Sequence, residues 1–173
     1  MPYSLTEFCA DLSATLKAEG TNGLAAIGQK LSTLLKNPDF VAATFSEDTP
    51  VGRRELWHDP QTDAYVLAHV QEGGKTGKPH SHGASWAIYG TARGVTEMTE
   101  WRRVNSADEE RAVLEKTKQY TLGPGETQAY PSGVIHSTAH PRKAWVIRVT
   151  GTDLDAIPRY HFRGDKDKIL ERA

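Results

Sequence analysis

"KPHSHGASWAIYG", residues 78–90, sets two histidines one residue apart, behind a proline and ahead of a glycine, where a β-strand reads as beginning. A strand alternates its faces, so His80 and His82 are expected to point the same way. Two neutral imidazoles on one face suit a metal ion. The pair also suits nothing in particular, and its surroundings must decide.

Those surroundings are β-rich. From Arg53 onward short alternating segments are separated by turn signals. "AYVLAHVQ" (64–71) runs to "EGGKTGKP", and "SWAIYGTARGVTEMTEWRRV" (85–104) reads as two strands around Gly90–Gly94. "KQYTLGPGETQAYPSGVIHSTAHP" and "AWVIRVTG" add more strands and tight turns, whereas "NSADEERAVLEKT" (105–117) reads as a charged loop holding a helical turn. Many short strands with regular turns indicate a sandwich or barrel.

The first 45 residues differ. Ser4 and Glu7 form a capping-box pattern, and Leu5, Phe8, Leu12 and Leu16 recur at helical spacing. Gly20 and Gly23 break this run. Leu24, Ile27, Leu31, Leu34 and Leu35 then line a second helix that Asn37-Pro38 ends, and "PDFVAATF" adds a third short turn. The expected organisation is 1–45 as helices packed on a barrel formed by 46–173, one structural domain in all.

Composition bounds the function. With 173 residues the chain can bury a full core. Its 21 basic and 22 acidic residues leave a formal charge of -1, which argues against binding nucleic acid or a membrane surface through bulk charge. The start carries no basic-then-apolar secretion pattern, and Cys9 is the single cysteine. A reducing cytoplasm is the expected home.

Two longer spacings answer the opening question. Gly74-x5-His80-x-His82-x4-Ala87-x6-Gly94 resembles the first motif of the cupin superfamily, and Gly125-x5-Pro131-x-Gly133-x2-His136-x3-His140 resembles the second. The resemblance runs from about Arg53 to Gly151. It implies a mainly β, jelly-roll cupin barrel (a double-stranded β-helix) preceded by two or three α-helices. It also implies that His80, His82 and His136 converge on one metal, leaving open positions for substrate or dioxygen.

Ala87 stands where the first motif usually has a glutamate, so a fourth protein ligand is missing. A three-histidine set resembles the thiol dioxygenase branch, which includes cysteine dioxygenase and uses ferrous iron. Imidazole alone suits zinc, copper, iron and nickel alike, so Fe(2+) follows from the resemblance, with Zn, Ni or Mn as alternatives. Arg54, 26 positions before His80, sits like the arginine that holds the substrate carboxylate in that branch. Its neighbour Arg53 takes that role if the register slips by one.

The branch's serine–histidine–tyrosine set falls here on Val146, Arg148 and Thr150, and its crosslinking cysteine on Ala87. Arg148 is expected to point inward as a second anion contact. A bulge near Gly83 would set whether Trp86 or Tyr89 looks inward; if Ala87 is inward so is Tyr89, to donate a phenolic proton, line the pocket, or simply pack in the core with its hydroxyl satisfied. His58, His69, His140 and His161 are read as structural; His140 lies too far along its strand to be a ligand. The expected partners are a small anionic substrate and dioxygen, with no nucleic acid or membrane. A homodimer would bury the edge strands. The leading reading is a dioxygenase for a thiol bearing a carboxylate. Its rivals are a metallo-cupin with non-redox chemistry and a non-catalytic binding module.

Overall fold

The computed structural model describes residues 2–163 and 168–170. Three α-helices come first: α1 (Leu5–Glu19), α2 (Leu24–Leu35) and α3 (Pro38–Thr44), with a 3-10 turn over Gly20–Gly23. The Ser4–Glu7 capping box forms in both directions and fixes the start of α1. Asn37 caps α3 by accepting from the Asp39 amide, with Pro38 at the first helical position. No helix among the described residues is long and apolar enough to cross a membrane.

Among the described residues ten strands follow: β1 (Gly52–His58), β2 (Tyr65–Gln71), β3 (Lys75–Thr76), β4 (Ala87–Arg93), β5 (Thr96–Arg103), β6 (Val113–Leu122), β7 (Thr127–Tyr130), β8 (Ile135–His140), β9 (Ala144–Thr150) and β10 (Lys168–Leu170). They form two five-stranded sheets, ordered β1-β2-β9-β4-β7 and β10-β6-β5-β8-β3. The chain repeatedly crosses from one sheet to the other, which gives the jelly roll. Segment 104–112 is a loop of turns and bends, not a helical turn, and the apolar end of the charged stretch, from Val113, enters β6.

Parity along the first sheet sorts two cores. Val66, Ala68, Val70, Ile88, Ile147 and Val149 face outward and pack with Leu31, Leu34 and Leu35 of α2. Ala87, Tyr89 and Val146 face inward with Met98 and Tyr130. Helix α2 lies so close to β4 that a Cβ on Gly90 would come within 2.5 Å of Leu35 Cδ1 and 3.1 Å of Leu31 Cδ2. Polar ties reinforce the seam: Ser32 Oγ donates to the Gly125 carbonyl (2.6 Å), and Thr127 Oγ1 to the Gly28 carbonyl (3.0 Å). Leu31 is fully buried there. Leu31→Ala should therefore lower unfolding free energy by about 3 kcal/mol, read as a fall in denaturant midpoint at unchanged slope.

Candidate metal centre

His80 and His82 do not lie on a regular strand, contrary to the sequence expectation. His80 forms an isolated bridge, exchanging backbone hydrogen bonds of 2.9 Å in each direction with His136, and β4 begins only at Ala87. The bridge itself joins the first motif to the second. Between His82 and β4 the chain turns through Gly83 at φ +60°, where a Cβ would also collide with the Pro158 carbonyl. Gly133, at φ +82°, makes the turn from β7 into β8 and delivers His136.

One ring nitrogen from each of His80, His82 and His136 lies within 4.8 Å of the other two. His136 is fully buried and His82 is 3% exposed. His80 Nδ1 stands 3.0 Å from the Lys78 carbonyl. A carbonyl only accepts, so Nδ1 carries the proton and Nε2 presents its lone pair. Burial, reinforced by the neighbouring histidines and Arg148, pushes His82 down to about 2. Burial and His80 push His136 down to about 3, and burial lowers His80 as well. The rings are thus neutral near pH 7, the state a metal requires. An all-nitrogen set fits borderline transition metals rather than magnesium or calcium. The three histidines form a group able to hold a metal ion.

Tyr89 reaches the same point. Its hydroxyl is 3.2 Å from His82 Nε2 and 3.4 Å from His136 Nε2. Tyr130, a residue the sequence reading passed over, stacks flat on His136, with centroids 4.4 Å apart and planes 6° apart. Its hydroxyl lies 2.5 Å from that of Tyr120, which in turn donates to Glu100 Oε1 at 2.8 Å. Glu100 is directly across from His136 in the β5–β8 ladder. Tyr120 on β6 is directly across from Met98 on β5, which shares a face with Glu100, a relation that only the β5–β6 register shows.

The remaining predicted residues separate. Arg54 is opposite Ala68, on the helix side of the sheet, and Nη2 donates to the Thr44 carbonyl at 2.7 Å. It does not reach the interior, which corrects the carboxylate-clamp expectation. Arg53 takes the other face, opposite His69, yet its Nη1 pairs with Asp155 at 2.9 Å. Arg148 lies inward, across from Tyr89 on one side and Leu67 on the other. Trp86 packs in the helix-side core, while Ala87 and Tyr89 share the interior. His140 is buried and stands outside the metal group, as its place along the strand implies.

A strap also crosses the His80–His82 segment. The Tyr160 carbonyl accepts from the Ser81 amide and the Phe162 amide donates to the Pro79 carbonyl, each at 2.9 Å. His161 stacks on His80, with centroids 5.8 Å apart and planes 21° apart. No periodic pattern in residues 157–162 announces this covering.

No family model and no curated protein matches the chain. Solved structures share the fold. The capsular polysaccharide assembling protein CapF of Staphylococcus aureus aligns at TM-score 0.50 and 18% identity, over 68% of this chain and 33% of its own. A cupin superfamily protein of Desulfitobacterium hafniense aligns at 0.46 and 12%, over 65% and 87%. The DMSP lyase DddQ of Ruegeria pomeroyi aligns at 0.47 and 16%, over 68% and 55%.

Proposed function

We propose that this chain is a metal-dependent cupin enzyme, a non-haem Fe(II) dioxygenase that oxidises a small thiol bearing a carboxylate. The observation that carries the reading is the all-histidine group His80, His82 and His136 inside the barrel, with Ala87 instead of a carboxylate beside it. The overall change is R–SH + O2 → R–SO2H; both oxygen atoms enter the product and no further reductant is consumed.

Ferrous iron held by the three imidazoles would supply the redox chemistry. The chain's own residues supply the setting. Arg148 holds the substrate anion through its guanidinium, since Arg54 lies on the helix side and Arg53 is paired with Asp155. The Tyr89 hydroxyl, against two ring nitrogens, holds a proton next to the reacting group. The buried walls, Tyr130 among them, keep water out.

The test begins with anaerobic purification and metal quantification. Oxygen uptake is then followed with cysteine, 3-mercaptopropionate and related thiols. Iron at about one per chain and uptake with a carboxylate-bearing thiol are expected. Iron-loaded protein that leaves every such thiol untouched defeats the dioxygenase reading.

A second reading has its own support. The Tyr89 contacts equip the site for acid–base chemistry without oxygen, and Val146, Arg148 and Thr150 replace the serine–histidine–tyrosine set of the resembled branch. Turnover of an anionic substrate under argon, abolished by Tyr89→Phe, would favour a non-redox metallo-cupin.

A further inference from the structure

We infer that His69, His140 and Arg148 form one oxyanion pocket in the barrel, built to hold the carboxylate of a short-chain acid whose other end faces the three metal histidines. The role of that other end rests on the metal reading above; the pocket does not.

Each of the three residues keeps a buried nitrogen without a hydrogen-bond partner: His69 Nε2, His140 Nε2 and Arg148 Nε. His69 is 9% exposed and His140 7%. A buried donor left unpaired costs about 1–3 kcal/mol, so three such nitrogens around one interior are a recognition surface awaiting a ligand. They come from separate strands. His69 on β2 is directly across from Val146 on β9, and Leu67 from Arg148, so His69 and Arg148 share the inner face as diagonal neighbours. His140 on β8 shares the parity of His136.

Charge selects the ligand. Arg53, Arg102 and Arg159 each have a carboxylate within 2.9 Å, whereas Arg148 pairs with none among the described residues. A guanidinium facing inward without countercharge is costly, and an entering anion offsets that cost. The same charge repels a second cation there. Burial and Arg148 push His69 down to about 3, and burial lowers His140, so both rings serve as neutral N–H donors.

Arg148 is directly across from Tyr89, whose hydroxyl stands 3.2 Å from His82 Nε2 and 3.4 Å from His136 Nε2, so the pocket lies beside the three histidines and suits a small acid.

The test uses metal-free, full-length protein and propionate, with chloride at equal ionic strength as control. Propionate should raise the thermal midpoint of the wild type, and chloride should not. Arg148→Met should weaken propionate binding by more than about a hundredfold, and His69→Leu or His140→Leu by about tenfold each. Circular dichroism checks the fold. If Arg148→Met does not fold, the histidine variants and Arg148→Lys, which keeps charge but loses the fork, decide the matter. Wild type that ignores propionate up to about 100 mM, or variants that bind it as wild type does, overturn the pocket. Propionate binding without oxygen uptake on any thiol keeps the pocket and removes the dioxygenase reading. Thiol oxidation with an unchanged KM in Arg148→Met does the reverse.

Discussion

His82→Ala is expected to empty the metal centre. His82 is one of three nitrogen donors, and no carboxylate joins the group among the described residues. Two imidazoles hold a divalent ion far more weakly than three, and affinity should drop more than about a hundredfold, beyond the loss from disturbing a ligand's support. Metal per purified chain should fall from about one to below about 0.1. A second reading is thermodynamic. Added metal raises the wild-type thermal midpoint by mass action and should leave the variant's unmoved. His69→Leu is the matched control: it removes a buried imidazole outside the trio, and metal content should persist. Stoichiometric metal in His82→Ala would show that the ion is held elsewhere.

The elements that declare themselves in the sequence are those with strong local chemistry. α1 is announced by Ser4 and Glu7 at its start, α2 by its apolar stripe, and β2 and β9 by β-branched runs. Gly133 and Gly94 mark turns that need positive φ, at +82° and +78°. The loop 104–112 misled because its charges resemble a helical face, while Val113 and Leu114 belong to β6.

The site divides the same way. His80, His82 and His136 were legible through the resemblance of their surroundings to the two cupin motifs, even though His80 is a bridge residue and not part of a strand. Arg54 was misplaced by one residue of parity. β1 carries a register irregularity between Glu55 and Trp57, and its facing depends on pairing with β2, which no local pattern states. His69 and His140 escaped for another reason. Alternation says which side of a strand a residue takes, but only the topology shows that β2 and β8 close over one interior. A strap over residues 79–83 is likewise a long-range fact, visible in the Ser81–Tyr160 and Pro79–Phe162 hydrogen bonds and in the His80–His161 stack.

Metal-free protein is expected to unfold in mild acid, well above the carboxylate range. His69 and His136 are pushed down to about 3 and His82 to about 2, from an ordinary 6.5, each first by burial. The native state therefore leaves these rings unprotonated where the unfolded chain protonates them. Stability is full above pH 6.5 and drains as pH falls toward the native values. From pH 6.5 to 4.5 the three rings together remove about 7 kcal/mol, against a total of about 5–15 for a domain. His80 and His140, also lowered, add to the loss. Asp59, held near 2, withdraws its contribution only below its ordinary 3.8, so the two classes separate on the pH axis. Circular dichroism should give an acid midpoint above about pH 4.5 for the metal-free chain. His69→Leu should make the transition shallower by about one proton. Added metal should move the midpoint downward, because it competes with protons for the lone pairs of His80, His82 and His136. A midpoint below pH 4, indifferent to metal and to His69, would mean that the interior histidines are hydrated and not the dry, neutral donors on which both the metal centre and the anion pocket depend.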